Sequence, residues 1–142
     1  MLKYFYKVMY QKEDVEEGSF DLGIFSTQKN ADLKIAKASK CIGFNNWNGF
    51  KVIKFGVTFP IDIRKEGITL YSVTHEYSII EDDQIYDVFN VFNIFGSKIE
   101  AEQNVEYLKK HSRIGRKYPE NFLISETIVD NFSYWSEGYT SY

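Results

Sequence analysis

The chain has 142 residues, 44% of them hydrophobic and 26% charged, with a formal net charge of −3. That is enough for one domain of common size or two very small ones, and a separate core is marginal below about 70 residues. The acidic balance argues against non-specific nucleic-acid binding, the single cysteine, Cys41, excludes an intramolecular disulfide, and no stretch approaches the roughly 18 apolar residues of a membrane helix.

The N-terminus is interrupted by Lys3 and Lys7 and lacks a signal-peptide core, so a cytoplasmic protein is expected. Tyr4–Gln11 is rich in aromatic and β-branched residues and reads as a strand. The polar segment Lys12–Gly18 follows, then a second strand at Phe20–Ser26. Ala31, Ile35 and Ala38 are spaced as one stripe of a helix, which Ser26 or Thr27 can cap. Gly43 lies beyond the helix end, and Phe50–Thr58 reads as a third strand. Pro60 and the polar run Asp62–Gly67 read as a linker.

The second half repeats this order. Thr69–Ile79 and Ile85–Phe95 read as strands around the tip Ile80–Asp83. Ala101, Val105 and Leu108 repeat the helical stripe behind a capping box formed by Ser97 and Glu100. Gly115 lies beyond that helix, and Phe122–Asp130 closes the half. The two halves align at an offset of 70 from Ile24 over Ile94 through Lys40 over Lys110. The offset is 65 in the first strand and 72 in the last, changing where loops tolerate insertions. The expected fold is therefore α+β: two tandem β-β-α-β units sharing a mostly antiparallel sheet, with two helices packed on it. The organisation is read as one domain, with copy one at 1–60, a linker at 61–67, copy two at 68–130 and an aromatic tail at 131–142.

Residue chemistry points to no catalytic constellation. His75 and Glu76 are strand neighbours and face opposite sides of a sheet. His111 sits where an imidazole complements a helix C-terminus, and Cys41 sits where a thiolate is disfavoured. No metal-ligand spacing, phosphate loop or dinucleotide fingerprint occurs, so neither a metal nor a cofactor is expected. Three surface features carry more content. Glu13, Asp14, Glu16 and Glu17 crowd the first hairpin tip, and Glu81, Asp82 and Asp83 the second, which suits a basic partner. Lys109, Lys110, His111, Arg113, Arg116 and Lys117 crowd the end of the second helix and the following loop, read as a solvated surface or a phosphate or acidic-protein contact. The tail carries Phe132, Tyr134, Trp135 and Tyr139, read as rings that cover the fold or as an aromatic contact surface.

Copy two resembles a family of short, uncharacterised bacterial domains. The likeness rests on His75-Glu76-Tyr77, on Asn93-Ile94-Phe95-Gly96-Ser97, on Tyr118-Pro119-Glu120-Asn121-Phe122 and on Trp135-Ser136-Glu137-Gly138-Tyr139. Copy one departs from it: Tyr10-Gln11-Lys12 replaces the histidine motif and the tryptophan motif is missing. In size and composition the chain is also similar to immunity proteins that neutralise bacterial toxins, an analogy of class. The expectation is a non-enzymatic protein-binding module that meets a basic toxin domain through the acidic tips, without nucleic acid or membrane. The alternative is a small-ligand or regulatory sensor with a pocket near His75, Trp135 and Tyr139.

Overall fold

A computed structural model describes residues 1–11, 19–41 and 49–134. The chain divides into two compact units, one made of Met1–Ile68 with Ile128–Tyr142, the other of Thr69–Thr127. Their elements run in chain order as β1 (Leu2–Gln11), β2 (Ser19–Phe25), α1 (Gln28–Ala38) and β3 (Phe50–Thr58), then β4 (Thr69–Glu81), β5 (Gln84–Phe95), α2 (Lys98–His111), α3 (Arg113–Lys117) and β6 (Phe122–Ile128). Among the described residues no helix is long and apolar enough to cross a membrane.

In the first unit the sheet order is β2-β1-β3, with both pairings antiparallel. Alternation along β1 sends Tyr6, Val8 and Tyr10 to the face covered by α1. There they meet Leu22 and Phe25 of β2, Ala31, Ile35 and Ala38 of α1, and Phe50 and Val52 of β3. Helix α1 starts at Thr27, whose side chain accepts from the Asn30 amide at 3.1 Å, an N-cap worth about 1 kcal/mol. On the other face Phe5 is buried against Phe55 and Phe59. Lys65 of the segment after β3 donates to the carbonyls of Tyr4 and Ser26 at 3.0 and 2.7 Å and lies over the Phe5 ring.

In the second unit the sheet order is β5-β4-β6. Val73, Ala101 and Leu108 form the buried centre, ringed by Tyr71, Phe92, Phe95, Val105, Phe122 and Ile124. Ser97 caps α2 as expected, accepting from the Glu100 amide at 3.3 Å. Both units carry a register shift in the first hairpin, between Val8 and Met9 in one and between Val73 and Thr74 in the other. Those positions differ by the same 65 residues as the aligned first strands.

Three expectations are corrected. The strands fall into two three-stranded sheets, not one shared sheet. The central strands β1 and β4 each have both edges occupied by strands of their own unit, so neither is left an edge for pairing across the linker. Strands β4 and β5 run to Glu81 and Gln84, because Asp82 and Asp83 both adopt positive φ, 52° and 63°, and make a two-residue turn. The basic run after α2 is not a plain loop but contains α3.

Helix α3 packs directly on the end of α2. Ser112 Oγ donates to the Leu108 carbonyl at 2.7 Å and accepts from the Gly115 amide at 2.8 Å. A Cβ on Gly115 would lie 2.0 Å from the Leu108 oxygen, so this contact requires glycine.

Candidate functional site

The outer end of the β4–β5 hairpin, residues 80–87, is exposed throughout. Cross-strand partners Glu76 and Phe89, Ser78 and Asp87, and Ile80 and Ile85 place these six side chains on one face. That face is opposite the one bearing Phe92, which packs beside α2. Its apolar members are strongly exposed: Ile80 at 78%, Ile85 at 73% and Phe89 at 60%. Val91 extends the row, and Leu123 on β6, next to inward-facing Phe122, adds a further exposed group. Lys and Arg are absent from Thr69 through Phe95, where the carboxylates are Glu76, Glu81, Asp82, Asp83 and Asp87. An apolar stripe is thus rimmed by one sign of charge. Ser78 Oγ donates to Asp87 at 2.6 Å, holding one carboxylate in place along the stripe.

Of the expected site residues, Glu81, Asp82, Asp83 and His75 are described. Glu81, Asp82 and Asp83 sit at the exposed hairpin turn. Glu13, Asp14, Glu16 and Glu17 of the other tip, and Trp135 and Tyr139 of the tail, lie outside the described residues. The exposed apolar stripe was not expected. Its only sequence signal is the alternation Ile85, Asp87, Phe89, Val91, which by itself does not say which face a helix covers.

His75 is fully buried. Its Nε2 lies 2.9 Å from the Tyr118 carbonyl and so carries the proton it donates there, while Nδ1 has no hydrogen-bond partner among the described residues. Four rings surround it: Phe122 at 4.6 Å, Tyr77 at 5.7 Å, Tyr118 at 6.3 Å and Phe92 at 6.4 Å between centroids. Asn121 adds a clasp, its Nδ2 donating to the Glu76 carbonyl at 2.8 Å while its carbonyl accepts from the Glu76 amide at 3.3 Å. The His75-Glu76-Tyr77 and Tyr118-to-Phe122 motifs therefore meet each other and join β4 to the chain entering β6. At the aligned positions of the first unit, Tyr10 and Phe50 form an edge-on pair at 4.9 Å and 63°, close to the 69° of His75 and Phe122.

The tail, as far as it is described, holds the first unit together. Asp130, in the left-handed region at φ 62°, accepts from the Ser26 amide at 2.9 Å, Ser26 Oγ at 2.6 Å and Asn30 Nδ2 at 3.1 Å. Phe132 packs on Phe25 at 5.1 Å and lies under the Lys37 ammonium. Lys34, only 2% exposed, donates to the carbonyls of Phe132 and Tyr134 at 3.0 and 2.6 Å. Burial pushes its pKa below the ordinary lysine value. A lysine so shifted could act as a nucleophile, but both carbonyls occupy this one inside a closed contact. Lys34 was not singled out in sequence, although it falls three residues after Ala31 on the buried stripe of α1.

Comparison of the chain with protein-family models, curated proteins and solved structures finds no match.

Proposed function

We propose that this protein is a non-enzymatic binding module whose β4–β5 hairpin engages a basic protein partner in the cytoplasm. The observation that carries the reading is the exposed row Ile80, Ile85 and Phe89, set among carboxylates in a hairpin without Lys or Arg. Exposed rings and branched side chains supply contact area, and the one-signed rim steers a partner of opposite charge. In its most specific form the partner is a basic toxin domain and the protein neutralises it. The shared helix caps, the matching register shifts and the paired aromatic contacts support a further part of this reading: the chain comprises two diverged copies of one β-β-α-β unit.

The test compares wild type with Ile80→Ser/Ile85→Ser/Phe89→Ser as baits in lysate at low and high salt. A basic protein held by wild type, weakened by salt and lost from the variant would support the proposal. Rescue of cells expressing that protein would support neutralisation. Equal capture by both baits would remove the hairpin from the reading.

A further inference from the structure

We propose that a groove between β4 and α3 binds a small organic anion with an apolar or aromatic body. The groove encloses about 350 Å³ and is lined by Tyr77, Ile79, Arg113, Ile114, Lys117 and Tyr118. That volume lies at the lower end of small-molecule sites, roughly 300–1,000 Å³. It lies on the side of β4 opposite the stripe of Glu76, Ser78 and Ile80, because alternate strand residues face opposite ways. The two surfaces are chemically distinct as well, since no carboxylate lines the groove.

The lining divides into a head and a body. Arg113 and Lys117 are four residues apart on α3, hence on one helical face, and neither makes an ion pair among the described residues. Two unneutralised cations a turn apart suit a carboxylate or a phosphate monoester, and the Arg113 guanidinium can grip either through two parallel hydrogen bonds. Ile79 and Ile114 supply apolar wall, and Tyr77 and Tyr118 stack on each other at 4.7 Å and 14°.

The groove is built rather than incidental. Gly115 lets α3 press onto α2, and Ser112 caps α3. The Tyr118 amide donates to the Ile114 carbonyl at 2.8 Å, and the Tyr118 carbonyl faces buried His75. Both walls are therefore set before a ligand arrives, which lowers the ordering cost of binding.

The test titrates the full chain with phenyl phosphate, benzoate, inorganic phosphate and phenol, by calorimetry and by amide shifts of residues 77–79 and 113–118. Saturable binding is expected for at least one aryl anion, tighter than inorganic phosphate and phenol; the preferred aryl anion identifies the head group. Arg113→Gln/Lys117→Gln should weaken that binding at least about tenfold, the scale of a lost charge-assisted contact. Lys109→Gln/Lys110→Gln, outside the lining, should leave it unchanged. Arg113, Lys117 and Lys110 are exposed and Lys109 is half-buried, and unchanged melting of both double variants would show that folding is preserved. The proposal is overturned by no saturable binding, by inorganic phosphate binding as tightly as both aryl anions, or by equal loss in the two double variants. None of these outcomes bears on the hairpin surface.

Discussion

The two units use the same parts where folding is concerned and different parts where surfaces are concerned. Thr27 and Ser97 cap their helices with nearly the same backbone, φ −137° and −140°. Ala31 and Ala101 are both fully buried under the sheet. Around these shared positions the residues diverge. Ser26, Asn30 and Lys34, which bind the C-terminal segment in the first unit, align with Gly96, Glu100 and Asn104 in the second. Asn104 instead accepts from Asn93 at 3.3 Å. The first unit thus uses its variable positions to hold its own chain. The second leaves a hairpin face and a groove open, and for that reason carries both proposed sites.

The sharpest way to break this comparison is Gly115→Ala. The added Cβ meets backbone, not a movable side chain, so a loss of about 3 kcal/mol is expected in chemical denaturation. Hydrogen exchange should rise in α3 and not in α1. Asp130→Ala should do the converse. It removes the acceptor for Ser26 and Asn30 and should cost about 2 kcal/mol, with faster exchange in the first turn of α1 and none in α2.

A smaller change in the opposite direction is expected at the hairpin tip. Replacing Asp82-Asp83 by Asn-Gly suits the positive φ of both residues and should stabilise by about 1 kcal/mol, raising the denaturation midpoint. The same substitution removes two carboxylates, so a slower association with a basic partner despite the firmer fold would separate charge from stability.

The smallest effect concerns pH. Burial lowers the pKa of Lys34 from 10.5, so between its folded value and 10.5 the unfolded chain binds more protons than the folded one. Stability from this group therefore rises as pH climbs through that window. Lys34→Met should abolish the rise, and the wild-type advantage in denaturation should grow with pH. A difference that stays flat would place the ammonium in water.

Much of the fold was legible because its signals are local. The stripes Ala31–Ile35–Ala38 and Ala101–Val105–Leu108 depend only on helical geometry, and both helices formed there with hydroxyl caps. Helix α3 was hidden because Gly115 in a basic run reads as a breaker, whereas in the structure it is what permits helix packing. The proposed sites were legible only in part. Charge alone exposed the acidic tip and the basic run, because ionised groups stay at the surface in most folds. Burial of Lys34 and His75 was not legible, since each depends on carbonyls distant in sequence, those of Phe132, Tyr134 and Tyr118.

The sequence by itself determined the α+β class, the order of the strands and the two longer helices, the caps of those helices and the acidic hairpin turn. Periodicity, capping and charge act over a few residues and need no distant partner. Tertiary structure alone decided that the strands divide into two sheets, which face of the β4–β5 hairpin a helix covers, and that Arg113 and Lys117 stand beside Tyr77. Those outcomes depend on which surfaces meet after the chain has turned back on itself, and residues far apart in sequence compete for them.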